Sequence, residues 1–203
     1  MKAFLADGWR VVVPWIVGGE QERLPPEAEA VEADLSDPDD VGRTVRLAAG
    51  DQSAPLGAVA NLVGGYRADQ PVIDTPLDEF EYLFELNLRP TYLVTQCALP
   101  RLIAAGGGAI VCVSAKAALE PWAGGAAYAA SKAAVIALAR AVAKEHADDG
   151  VRCNVIAPTL IDTPANRAAS PDAKMTPPDR VAEIVRFLCT DESATLNGAV
   201  VPV

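Results

Sequence analysis

Runs of apolar residues alternate with helix-like patterns along the whole chain. Apolar, β-branched runs predict buried strands at 11–17, 56–63, 109–114 and 151–158, and further strands are predicted at 29–35 and 197–203. Spacing of apolar positions at three and four residues predicts helices at 38–49, 76–100, 126–144 and 179–190. Residues 1–7 are typical of the end of a helix, which Gly8 terminates. This alternation predicts a mostly parallel sheet with helices on both faces.

Three segments carry more specific expectations. The run at 56–63 is apolar on both faces, so we expect it in the centre of the sheet. Pro90 inside the helix 76–100 predicts a kink beside Asn87, because proline displaces the carbonyl four residues earlier. The kink serves either packing or the binding of a water molecule. The stretch 164–178 is polar and Pro-rich, and it predicts either a lid or a disordered segment.

Composition excludes several functional classes. The 203 residues are 51% apolar, which suits a single domain spanning 1–203. A net charge of −10 argues against nucleic acid and anionic membranes as partners, and no signal peptide or membrane span is evident. The four cysteines lack metal-binding spacing and predict reduced thiols in a cytoplasmic core. With His146 as the only histidine, no metal site is predicted.

The candidate chemistry lies on the helix 126–144. Tyr128 and Lys132 are four residues apart, so they lie on one helix face. A neighbouring cation favours the phenolate and should lower the phenol's pKa from about 10, as acid–base catalysis requires. Ser114, at the end of the strand 109–114, would place a hydroxyl against a substrate oxygen. Taken singly, however, a tyrosine and a lysine four residues apart usually form a pair on the protein surface. A serine that ends a strand is usually a helix cap or a turn residue.

These residues occur within a wider pattern. Ser114 and the sequence YAASK at 128–132 closely resemble the catalytic signature of the short-chain dehydrogenase/reductase family. The resemblance extends to NLVGG at 61–65, Asn87 in ELNLRPTYLVTQ, and CNVIAPTLIDTP at 153–164, and it covers roughly the whole chain. Within the family, SAKAALEP and PTLIDTPANR resemble the dihydropteridine reductase-like subgroup. The fold implied is α/β, a Rossmann-like, doubly wound, mostly parallel sheet.

The resemblance implies an oxidoreductase that reduces a carbonyl compound or oxidises an alcohol with NAD or NADP. Tyr128 would donate and accept the proton, while Lys132 would lower its pKa and bind the nicotinamide ribose. Ser114 would orient the substrate, and Asn87 would support a proton relay. The implied cofactor-binding residues are Asp34, Leu35, Asn61, Gly64, Tyr128, Lys132, Pro158, Ile161 and Thr163. From the sequence alone, Asp34 is equally well explained as a strand-end residue beside a helix cap.

The front of the chain departs from the family. A strand, a glycine-rich turn and a helix N-terminus normally hold the cofactor pyrophosphate, and the strand and turn are missing here. Their absence predicts weak NAD(P)H binding, and three explanations stay open: an enzyme, a non-catalytic or oligomeric binding protein, or a misassigned start codon. We also expect residues 11–17 to close the vacant position by pairing with 57–63, with closure by a partner chain as the alternative. Either arrangement predicts a homodimer or homotetramer.

Overall fold

The computed structural model describes residues 1–18, 21–67 and 70–203. Seven α-helices are assigned in these ranges: α1 (Lys2–Ala6), α2 (Pro38–Ala49), α3 (Leu77–Asn87), α4 (Arg89–Ala104), α5 (Ala126–Glu145), α6 (Pro164–Ala169) and α7 (Pro178–Cys189). Six strands accompany them: β1 (Val12–Trp15), β2 (Glu29–Glu32), β3 (Ala58–Asn61), β4 (Gly108–Val113), β5 (Val151–Ala157) and β6 (Val200–Pro202). The predicted alternation of strands and helices is confirmed.

A four-stranded parallel sheet in the order β3-β4-β5-β6 forms the centre of the molecule. Side chains of β4 alternate between its two faces, as strand geometry requires. Ile110 and Cys112 join one buried cluster with residues of α4 and α5, whereas Val111 joins another with Val185 and Leu188 of α7. The sheet is therefore covered by helices on both faces, and the α/β fold class is confirmed.

Local sequence explains where the main helices begin and end. Asp37 caps α2 by accepting hydrogen bonds from two backbone amides of the first turn, and Pro38 follows at the first helical position. The predicted helix 76–100 is broken at Leu88 into α3 and α4, as expected for a proline at position 90. By length and hydropathy α5 is able to cross a membrane, but one face of it is buried in the core against β5.

The position of β3 differs from the prediction. In the described residues β3 is an edge strand, and β1 pairs only with β2, in a separate two-stranded parallel sheet. The expected pairing of 11–17 with 57–63 is therefore wrong. The guanidinium of Arg10, just before β1, binds the Glu29 carboxylate at 2.7 Å and the carbonyl groups of Leu47 and Ala48. These bonds tie the start of β1 to β2 and α2.

Two cavities separate β1 from β3. One, of about 380 Å³, lies at their amino ends between Val12 and Ala58. The other, of about 460 Å³, lies at their carboxyl ends between Trp15 and Val63. Matching ends of the two strands thus face each other, so β1 and β3 run in the same direction without pairing.

The segment 164–178 has regular structure, so the prediction of a disordered segment is wrong, and the lid stays a prediction. Its first part forms α6, which Thr163 caps by accepting a hydrogen bond from the amide of Asn166 at 3.2 Å. Thr176 then forms a bridge with Ile161, which ties the end of the segment back to the loop beyond β5. The polar composition hid this structure, because a six-residue helix has too few apolar positions to show a period.

Candidate active site

The candidate residues gather at the carboxyl ends of β3, β4 and β5. Open parallel sheets present loops and helix starts at this edge, where ligands commonly bind. Here β3 leads to Gly64, β4 leads to Ser114, and α5 brings Tyr128 and Lys132 back across the sheet. The helix break at Leu88 places Asn87 beside them.

Lys132 lies at the centre of the site. Its side chain is 3% exposed, and its Nζ donates a hydrogen bond of 3.4 Å to the carbonyl of Val113. Burial lowers the pKa of Lys132 to about 8, and the nearby Cys112 acts in the opposite direction. At neutral pH the site therefore holds a buried ammonium group.

Gly64 provides the space for this arrangement. Its backbone has a φ of +151°, and a Cβ built there would lie 2.5 Å from Asn87 Oδ1 and 2.7 Å from Lys132 Nζ. The amide oxygen and the ammonium group therefore converge on the glycine backbone. Any side chain at position 64 would displace one of them.

Asn87 is fully buried and joins three elements. Its Oδ1 accepts a hydrogen bond of 2.9 Å from the amide of Gly65, and its Nδ2 donates to Ser131 Oγ at 3.1 Å. Ser131 in turn donates to the carbonyl of Tyr128 at 2.8 Å. At the helix break, Thr91 Oγ1 donates a hydrogen bond of 2.9 Å to the backbone carbonyl of Asn87. Asn87 thus links the glycine turn after β3 to the start of α5.

Tyr128 lies at the mouth of the site and is half-buried. Its ring meets that of Tyr66 edge to face, with centroids 5.1 Å apart. Burial raises the pKa of Tyr128 above its ordinary value of 10.0, and Tyr66 raises it further. The net shift is therefore opposite in direction to the lowering that the sequence predicts. Lys132 Nζ instead donates to the carbonyl of Val113, and desolvation of the phenol dominates.

Ser114 occupies a different place from the one expected. Its hydroxyl is 2% exposed and donates a hydrogen bond of 2.8 Å to the carbonyl of Lys132. It therefore ties the end of β4 to α5 and does not present its oxygen to a substrate. The next residue, Ala115, belongs to a buried cluster with Ala117 and Ala129, against which Tyr128 packs. Sequence reasoning missed Ala115, because an alanine carries no chemical signal of its own.

The implied adenine-side residues line the larger cavity between β1 and β3. Asp34, Leu35, Val63 and Leu86 are among its lining residues. Asp34 Oδ1 accepts hydrogen bonds from both the amide and the hydroxyl of Ser36, and these bonds lower the pKa of its carboxyl group. An apolar slot with a carboxylate at its edge fits a flat heteroaromatic ring.

Asn61 is buried at the carboxyl end of β3. It is 3% exposed, and within the described part of the chain neither its Oδ1 nor its Nδ2 has a hydrogen-bond partner. Leaving such an amide unsatisfied costs about 1–3 kcal/mol per group. Both this amide and the Cβ-free backbone at Gly64 are compatible with a polar ligand at this edge.

The remaining implied residues follow β5 and have structural partners. The carbonyl of Pro158 accepts a hydrogen bond from the amide of Lys116, and the carbonyl of Ile161 accepts one from the side chain of Asn166. Thr163 Oγ1 caps α6. Pro158, Ile161 and Thr163 thus lie on the loop beyond β5, where their polar backbone and side-chain atoms hold that loop in place.

Comparisons with known proteins show which family the chain resembles. A family model described as enoyl-(acyl carrier protein) reductase matches residues 2–203. A 4-formylbenzenesulfonate dehydrogenase of Comamonas testosteroni is 35% identical over 172 residues, which are 77% of this chain and 68% of the relative.

Two solved structures extend the likeness to the fold. One, a short chain dehydrogenase/reductase family protein, is 30% identical with a TM-score of 0.87, covering 100% of this chain and 88% of the other. The second, a 3-ketoacyl-(acyl-carrier-protein) reductase from Brucella melitensis complexed with NADH, is 26% identical with a TM-score of 0.87, covering 100% and 89%. With a family model that matches nearly every residue, this chain belongs to the short-chain dehydrogenase/reductase family.

Proposed function

We propose that this protein is an NAD(P)-dependent oxidoreductase that interconverts a small carbonyl compound and its alcohol. The observation that carries the proposal is the convergence of Lys132 Nζ and Asn87 Oδ1 on the side-chain-free backbone of Gly64. A buried ammonium group costs stability, so its retention beside Tyr128 argues for a functional role. The related reductase complexed with NADH supports the choice of cofactor.

In this mechanism Tyr128 is the proton donor and acceptor. The raised pKa keeps its phenol protonated at neutral pH, so the phenol donates a hydrogen bond to the carbonyl oxygen and then its proton. The positive charge of Lys132 would stabilise the phenolate that remains, and its ammonium group would hold the ribose hydroxyls of the cofactor. Asn87 holds the start of α5 and the glycine turn in register. The nicotinamide, when bound, supplies or takes up the hydride.

The residues that would bind the cofactor lie at the same carboxyl edge of the sheet. The cavity that includes Asp34 and Leu35 would take the adenine, and Asn61 and Gly64 would border the ribose. The loop residues Pro158, Ile161 and Thr163 would border the nicotinamide and phosphate groups. No glycine-rich turn before a helix is available for the pyrophosphate among the described residues. We therefore predict weak binding, and a fluorescence titration with NADH that gave micromolar affinity would overturn this prediction.

The catalytic role of Tyr128 is tested by Tyr128→Phe. We expect the variant to lose nearly all turnover in cofactor-saturated assays of carbonyl reduction and to keep its affinity for NADH, because only the proton-transferring oxygen is removed. Tyr92→Phe is the control, since it deletes the hydroxyl of an exposed tyrosine on α4 that accepts a hydrogen bond from Gln96. Retention of most of the activity by Tyr128→Phe would refute the mechanism.

An alternative function is that of a non-catalytic, oligomeric binding protein. The observation in its favour is that β1 and β3 lie side by side without pairing, in the region where the family binds its cofactor. Saturable NADH-dependent turnover would exclude this alternative.

We further propose a cytoplasmic homodimer or homotetramer without nucleic-acid or membrane partners. The acidic composition supports the absence of nucleic-acid and membrane partners. A surface groove between α3, α4 and α5, lined by Phe84, Leu88 and Leu138, supports the oligomer. A solution mass equal to one chain would refute the oligomer.

A further inference from the structure

Three aromatic rings meet at the mouth of the candidate site. The ring centroid of Tyr66 lies 5.1 Å from that of Tyr128 and 6.4 Å from that of Trp122, and the centroids of Trp122 and Tyr128 are 6.3 Å apart. All three distances fall within the range of favourable aromatic contacts, about 4.5–7 Å. We call Tyr66 and Trp122 the aromatic wall.

The aromatic wall is exposed although it is apolar. Tyr66 is 59% exposed and Trp122 is 44% exposed, whereas the adjoining Tyr128 is half-buried. Large exposed aromatic side chains in mutual contact mark binding surfaces more often than isolated ones do. Here the surface adjoins the proposed proton donor.

The position of Trp122 is constrained by the loop that carries it. A Cβ built at Gly125 would lie 2.8 Å from one atom of the Trp122 indole and 3.1 Å from two others. The indole therefore rests directly on the glycine backbone at the start of α5. A preorganised ring loses little conformational entropy when a ligand stacks on it.

Small apolar residues also surround the ring of Tyr128. Ala115, Ala117 and Ala129 form a buried cluster against which it packs, while the hydroxyl of Ser114 is turned to the carbonyl of Lys132. A substrate at the mouth of the site would therefore contact aromatic rings. The phenol of Tyr128, on α5, would donate a hydrogen bond to its carbonyl oxygen.

We propose that the aromatic wall selects a flat aryl aldehyde, aryl ketone or the corresponding alcohol as substrate. The proposal rests on the proposed function and adds the substrate class. An aryl ring stacked on Tyr66 or Trp122 places a carbonyl group attached directly to it near Tyr128. A saturated ring of the same size keeps the apolar contact and lacks the aromatic contribution.

Binding tests the wall separately from turnover. Benzamide and cyclohexanecarboxamide are uncharged, unreactive and similar in size, and their affinities for the full chain can be compared by ligand-observed NMR. We expect benzamide to bind several-fold more tightly. Trp122→Leu and Tyr66→Leu should each bring this ratio closer to one, because each removes an aromatic contact worth at most about 2- to 12-fold in affinity.

Matched controls separate stacking from general damage. Tyr92→Leu removes a comparably exposed ring on α4 and should leave the ratio unchanged. Trp122→Phe keeps a ring and should retain the preference, and circular dichroism checks that each variant is folded. Equal affinity of the wild-type protein for the two amides would overturn the proposal whatever the variants do.

Turnover is the second measurement. With cofactor supplied, kcat/KM for benzaldehyde should exceed that for cyclohexanecarbaldehyde, and the preference should fall in the two Leu variants. If the wild-type enzyme reduces both aldehydes equally well, the proposal that the aromatic wall selects the substrate is refuted. If neither aldehyde reacts but benzamide binds more tightly than cyclohexanecarboxamide, the aromatic wall is supported as a binding surface and the proposed reaction is refuted.

Discussion

Replacing Lys132 by methionine should make the protein more stable at neutral pH when no cofactor is added. Lys132 is 3% exposed, and burial lowers its pKa from the ordinary 10.5 to about 8. Because one pKa unit corresponds to about 1.36 kcal/mol, the charged lysine lowers the free energy of unfolding by an amount on the order of 3 kcal/mol. Methionine has a similar length and volume and carries no charge.

The pH dependence identifies the cause. Below the folded pKa of about 8, both folded and unfolded chains hold the proton, and the full penalty applies. Between about 8 and 10.5 the unfolded chain binds the proton more tightly, so the penalty fades as the pH rises. The advantage of Lys132→Met should therefore shrink from about 3 kcal/mol at pH 7 to about 1 kcal/mol at pH 10.

Urea denaturation followed by circular dichroism at the two pH values measures this difference. Loss of the weak bond from Nζ to the Val113 carbonyl reduces the advantage without removing its dependence on pH. Lys116→Met is the control, because Lys116 forms a surface ion pair with Glu120 and such pairs contribute only about 0–1 kcal/mol. An advantage of Lys132→Met that is the same at pH 7 and pH 10 would refute the reasoning.

Two further substitutions test the geometry around Lys132. Gly64→Ala should lower the free energy of unfolding by about 1–3 kcal/mol and abolish activity, because its Cβ would collide with Asn87 Oδ1 and Lys132 Nζ. The control is Gly42→Ala in α2, which should leave the free energy of unfolding unchanged or raise it. Urea denaturation measures both. Ser114→Ala should lower the free energy of unfolding by about 1 kcal/mol, because the hydrogen bond to the Lys132 carbonyl is lost. Its kcat/KM should fall by less than about tenfold. A loss of activity as large as that of Tyr128→Phe would instead show that Ser114 has a catalytic role.

The order and type of the main strands and helices, α6 excepted, follow from the sequence alone. A continuous apolar run identifies β4, because a strand buried on both faces needs no polar side. The predicted limits of α2, 38–49, match the structure, in which Asp37 caps its start and Gly50 follows its end. The pairing of Tyr128 with Lys132 on one face of α5 is likewise a property of helical spacing.

Tertiary structure decided what those residues contact. Whether β3 is central or an edge depends on long-range pairing, and in the described residues β1 pairs with β2 alone. The direction of the Ser114 hydroxyl depends on the carbonyl of Lys132, which is 18 residues away. The rise in the pKa of Tyr128 comes from burial and from Tyr66, and neither is visible until the chain has folded. Local sequence sets secondary structure through backbone sterics and periodicity, whereas burial and charge at the site depend on residues brought together from distant segments.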